Sequence, residues 1–287
     1  MWVPIRLQDK LVQDTRAAVI GPAAFHNRTG QSLPKDKNIM QSELDLLNEY
    51  CRKSKMFINQ DKSKCILFNR ARKHDFMPEL YITPGCQMEL VEEIKLVGYQ
   101  LRSDLRTVSN TQYIVKRAWK RMWVVRRLKS LGASEADLLK VLRAQVLSVL
   151  QFASPAWSTQ TTAQENVQIE SVLKTGLYLV YGARYKSFSW ALTEANMSSL
   201  KDQRAAMFLK FTKDCIKNPK FSSWFAKYDQ SNTISTRQQK PRFKPVPART
   251  RAYQQSAIPQ MVKVANSLAK ENNKTRIVLN SGKVLII

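Results

Sequence analysis

The sequence predicts an α+β fold: a small antiparallel sheet, then a helical bundle, then a basic, mostly disordered tail. Three observations predict it. Short apolar runs bounded by turn residues fill residues 64–101, as strands do. From Ser109 to about Asn218 apolar residues recur at helical spacing. From about residue 230 prolines crowd in and large aliphatic residues thin out, so little core can form there.

The elements follow in order. Residues 1–37, with "IGPAAFHNRTGQSLPKDKN", are punctuated by Gly and Pro and read as irregular. A helix is expected from about Ile39 to Met56, with Met40, Leu44, Leu47 and Cys51 on one face. The stretch "MFINQDKSKCILFN" then reads as the end of that helix, a polar turn bearing Lys62 and Lys64, and a strand. Strands are expected at 64–69, 79–83, 87–91 and 94–101, with a hairpin turn on Pro84-Gly85. The first bundle helix runs from about Thr111 to Leu131 and Gly132 ends it. Ser134 caps the second, with Asp137 at its third position, and Pro155 stops it after about Phe152. A third spans about 163–181 and ends at Gly182; shorter helices follow at 187–196 and 198–217, closed by Asn218-Pro219. The division expected is 1–108, 109–229 and 230–287.

Charge narrows the function. Lys and Arg number 47 against 22 Asp and Glu, a net +25 over 287 residues. A fold does not need that imbalance, and a polyanionic partner explains it. An anionic membrane ranks lower, because the charge is spread along the chain and there is no lipidation motif. The four cysteines, Cys51, Cys65, Cys86 and Cys215, have no CxxC spacing, and the two histidines are His26 and His74, which argues against a structural zinc. Reduced, half-buried thiols fit an intracellular protein. "MWVPIRLQDK" lacks the apolar core of a signal peptide, and the apolar run Val146 to Trp157 is too short to span a bilayer. A soluble chain is expected.

The helix "TQYIVKRAWKRMWVVRRLKSL" carries seven basic residues and no acid. At helical spacing Lys116, Arg117, Lys120, Arg121 and Arg127 share one side, and Ile114, Ala118, Met122 and Val125 the other. Trp123 lies at the margin of the basic side. One face packs and the other is available to phosphates, with Trp123 placed to stack on a base or sugar. A solvated basic face with its tryptophan in the core is the plainer alternative.

The order helix, "INQDKSKCILFN", hairpin, "EEIKLVGYQLRSDL", basic helix, "RRLKSLGASEADLLKVLRAQVLSVLQFASPAW" resembles the C-terminal part of the reverse transcriptases of non-LTR (LINE-type) retrotransposons. It covers about residue 12 to at least residue 255. The resemblance implies that 1–108 is a partial palm, that 109–229 is a helical thumb-like domain gripping template–primer, and that 230–287 is a basic tail. It implies that "INQDKSKCILF" is the palm's motif D, with Lys62 near the incoming nucleotide's phosphates. It implies that "IKLVGYQL" is motif E, a primer-gripping hairpin with Lys95 and Gly98, the glycine permitting close backbone approach. The complete family enzyme uses carboxylates that hold Mg2+, including an Asp-Asp pair. This sequence contains no Asp-Asp, and Asp9 and Asp14 are single acids in irregular sequence. No catalytic residue beyond the Lys62 candidate, no metal site and no cofactor are therefore expected in this chain, and no polymerase activity from it alone. The expected partners are RNA, DNA or an RNA–DNA hybrid, bound without sequence preference, in nucleus and/or cytoplasm. Other readings stay open: a degenerate remnant without activity, an unrelated basic helical protein that binds RNA or a membrane, or a polymerase completed by other chains.

Overall fold

The computed structural model describes residues 34–66, 79–227, 242–248 and 250–280. The chain divides into two units, residues 1–110 and 111–287, each taken by itself below. It is mostly helical, with a few sheets of two strands, an α+β mix.

In the first unit helix α1 spans Pro34–Lys53. Pro34 suits a helix start, where its missing N–H has no intrahelical partner to lose. Leu44 is buried, while Met40, Leu47 and Cys51 are half-buried. Gln41 and Asn48, seven positions apart, share a face of α1. The Gln41 amide donates to the Tyr81 carbonyl and accepts from the Tyr81 N–H, both at 2.9 Å. Asn48 donates to the Ile82 carbonyl. Gln41 stands where a neighbouring strand would, and so covers the edge of strand β2, Tyr81–Thr83, that the Tyr81 backbone faces.

Strand β1 is Lys64–Cys65, and β2 is followed by β3, Cys86–Gln87, and β4, Glu89–Leu90. The β2–β3 hairpin turns on Pro84-Gly85, as expected. Gly85 has φ +84°, which the second corner of a type II turn demands. The remaining strands are β5, Glu93–Leu96, and β6, Tyr99–Arg102, paired antiparallel with Leu96 opposite Tyr99. Two expectations are corrected here. The strand read at 94–101 is two strands, because Val97 and Gly98 both have positive φ, 48° and 89°, and reverse the chain. Among the described residues the single antiparallel sheet is three separate ladders, and one of them, β1 with β4, is parallel. Strands of two to four residues broken by turns carry too few hydrogen bonds to build one sheet. The far half of the strand read at 64–69 lies outside the described residues, as do residues 1–33.

Gly98 therefore serves the turn itself, and its neighbour pays a conformational cost. A β-branched residue at φ 48° is strained, where Asn or Asp would be at ease. Val97→Asn is expected to stabilise the hairpin by about 1 kcal/mol. Amide exchange at Leu96 and Tyr99 should slow about fivefold; exchange that is unchanged or faster would show an unstrained turn.

The second unit holds the bundle. Helix α2, Val108–Ser130, ends before Gly132, whose φ is +81°. Helix α3, Glu135–Val141, runs without a break through a π-helical segment, Leu142–Leu147, into α4, Ser148–Gln151. The Ser134 hydroxyl accepts from the Asp137 N–H at 3.2 Å, which is the expected cap. The stop lies at Ala153, left-handed at φ 50°, and Pro155 instead opens α5, Ser154–Trp157. Helix α6, Ala163–Tyr181, starts in a capping box of Thr162 and Glu165. A Cβ on its Gly176 would lie 2.6 Å from Leu142 Cδ1 and 3.4 Å from Met122 Cε, so any larger residue would force the Leu142 side chain of the π segment to shift. Helices α7, Phe188–Glu194, and α8, Leu200–Lys217, complete the bundle.

The tail is a further correction. Helices α9, Arg251–Gln254, and α10, Ala257–Asn280, follow in it. Phe243, Met261, Val262 and Ala265 form a core with Phe208, Cys215 and Phe225. The Asn266 amide accepts from the Phe243 N–H at 2.8 Å and donates to its carbonyl at 3.0 Å. Sparse apolar residues suffice because α8 and Phe225 supply the other half of that core. Residues 228–241 and 281–287 lie outside the described residues.

Candidate nucleic-acid interface

Helix α2 sorts its residues by depth as its periodicity requires. Ile114, Ala118, Met122 and Val125 are at most 2% exposed. Two polar contacts hold the helix to α6. Near its start the Thr111 hydroxyl donates to Glu165 at 3.0 Å, and near its end Lys129 donates to the Leu179 carbonyl. The two helices thus run side by side in the same direction. Lys129 neutralises carbonyls that the last turn of α6 leaves unpaired.

The seven cations of α2 fall into two groups. Arg117 bonds the Tyr113 hydroxyl at 3.2 Å and sits 5.4 Å from that ring's centre. Arg121 donates to the Gln145 carbonyl at 3.0 Å, within the π segment. Together with Lys129 these three have internal tasks. Lys116, Lys120, Arg126 and Arg127 are exposed, and their side chains make no hydrogen bond or salt bridge among the described residues. Between them stands Trp123, 65% exposed. At about 100° per residue, Lys116, Lys120, Trp123 and Arg127 fall within about 60° of one another.

The available face is thus turned away from the one the sequence indicates. The engagement of Arg117 and Arg121 moves its centre to Trp123, which the sequence places at the margin. Arg126, three residues after Trp123 on a helix with no acid, is a further exposed cation that the sequence reading does not single out.

The first unit holds the other candidate residues. In the Asn59–Ser63 turn the Asn59 side chain accepts from the Lys62 N–H at 3.1 Å, and Ser63 donates to the Asn59 carbonyl at 2.8 Å. Lys64 pairs with Glu89, its neighbour across the β1–β4 ladder, while the Lys62 side chain is exposed and unpaired among the described residues. Lys95 is exposed on β5 opposite Gln100, and Gly98 sits in the turn beyond it.

Among the described residues no group of three His, Cys, Asp or Glu side chains could hold a metal ion. Asp9, Asp14 and both histidines lie outside the described residues. All four cysteines are free, with Cys215 buried and the other three half-buried. Burial pushes the Cys65 thiol up from its ordinary range, and burial with the nearby Asp214 charge does the same at Cys215. Among the described residues no helix is long and apolar enough to cross a membrane. Comparison with protein-family models, with curated proteins and with solved structures finds no match to this chain.

Proposed function

We propose that this chain binds nucleic acid without sequence preference, through the outer face of α2. The observation that carries this reading is four unpartnered cations set around an exposed tryptophan, on a helix that holds no acid. Phosphates supply the opposite charge, and Trp123 supplies a surface for a base or a sugar edge. The order of "INQDKSKCILFN", "EEIKLVGYQLRSDL" and the basic helix supports an origin in the C-terminal part of a non-LTR retrotransposon reverse transcriptase. On that reading the ligand is template–primer, and Lys62 is a cation left from a polymerase palm. Without the Asp pair the chain alone extends no primer.

The test is equilibrium binding of the full chain to an RNA–DNA hybrid and to duplex DNA over a salt series. Four neutralised phosphates give a slope of log K against log salt near about −3.6. Anionic vesicles serve as the competing ligand. A slope near zero, or vesicles bound more tightly than either duplex, would overturn the proposal.

A further inference from the structure

Beside the charged stripe, between α2 and α6, lies an open pocket of about 630 Å³. It is lined by Gln112, Val115, Lys116, Trp119, Lys120 and Gln168. Five of the six come from consecutive turns of α2, and Gln168 faces them from α6. The volume falls in the range of about 300–1,000 Å³ typical of small-ligand clefts. It is large enough for one nucleotide.

The lining has three chemistries. Val115 and Trp119 are half-buried and give an apolar wall with one flat aromatic ring. Gln112 and Gln168 are exposed, and their side-chain amides have no partner among the described residues. Each amide offers both donors and an acceptor, which matches the mixed pattern on the edge of a base. Lys116 and Lys120 are unpaired cations on the rim. A flat heteroaromatic ring with a hydrogen-bonding edge, joined to phosphates, satisfies all three together. An acidic peptide would use the lysines and leave the indole and the amides without a task. A paired base inside a duplex has both faces stacked and none free for the indole, so the base must be unpaired.

We propose that this pocket takes one unpaired base of a nucleic-acid strand. Its ring lies against Trp119, its edge meets Gln112 and Gln168, and the flanking phosphates sit on Lys116 and Lys120. The inference rests on the nucleic-acid reading of α2 and adds a preference to it. The chain favours a duplex that ends in an unpaired nucleotide over a blunt one.

The experiment compares three ligands for the full chain: a blunt RNA–DNA hybrid, the same hybrid with a one-nucleotide overhang, and that overhang made abasic. The base-bearing overhang is expected to bind about 5- to 100-fold more tightly than the blunt hybrid, the scale of one base–aromatic stack. The abasic overhang should gain little. In Trp119→Leu the overhang-to-blunt ratio should fall toward one, while Trp119→Phe keeps part of it. Gln112→Leu, at an exposed position, should lower the ratio too and serves as the test if Trp119→Leu does not fold. Equal gains from the base-bearing and abasic ends, or a ratio that survives Trp119→Leu or Gln112→Leu, would overturn the pocket and leave the charged face standing. Failure of every hybrid to bind would remove both.

Discussion

Replacing Lys116, Lys120, Arg126 and Arg127 together by alanine is expected to flatten the salt dependence of nucleic-acid binding. Each phosphate contact contributes about −0.9 to the slope, so four account for about −3.6, a loss of affinity of roughly 10²-fold between 50 and 200 mM salt. The variant should keep the fold. All four side chains are exposed and unpartnered among the described residues, and alanine is the best helix former. Arg121 is left out because its bond to the Gln145 carbonyl is internal. Arg121→Ala should lower the melting temperature and change the slope little. A fourfold variant that retains the wild-type slope would move the binding charge elsewhere, for instance to the basic residues 237–251. A variant that melts differently would show that the cations of α2 were supporting the bundle.

Local chemistry made much of the bundle legible. The α6 boundaries follow from Thr162 with Glu165 three positions on and from Gly182 after Tyr181. The α3 start follows from Ser134 with Asp137. These are interactions within four residues, which periodicity and cap chemistry report directly. Contacts between distant positions left no such trace. The π segment at Leu142–Leu147 is met by α2, whose Arg121 reaches its Gln145 carbonyl. Gln41 and Asn266 each satisfy both the N–H and the C=O of one residue, and that partner lies far off in the chain. The packed tail was hidden for the same reason: its apolar residues are few, and their partners Phe208 and Cys215 belong to α8. In the candidate interface, which residues are basic was plain from the sequence. Which of them are spoken for was not, because that depends on Tyr113, Gln145 and Leu179 being in reach.

Trp157→Ala is expected to cost about 3–5 kcal/mol, a large part of a typical domain stability of about 5–15 kcal/mol. Trp157 is fully buried, and three helices meet at it. Its indole N–H donates to the Phe152 carbonyl at 3.0 Å, satisfying a group that the end of α4 leaves open. The Arg204 guanidinium of α8 lies 5.7 Å from the ring centre and donates to Asn166 of α6 at 2.6 Å. Arg204 is only 2% exposed, and its other terminal nitrogen finds no partner among the described residues. Burial pulls its pKa down, against the opposing pull of the Glu170 charge. A buried cation so incompletely paired is costly to keep, but removing it alone leaves the partly buried Glu170 without its opposing charge. Arg204→Met should therefore cost less than Trp157→Ala, which removes several kcal/mol. Urea unfolding of the two variants separates the roles. If Arg204→Met proves as damaging as Trp157→Ala, the guanidinium holds α6 and α8 together through the indole. If it proves neutral, the indole and the aliphatic packing around it carry the joint, and the arginine is tolerated there because Asn166 and the ring face share its charge.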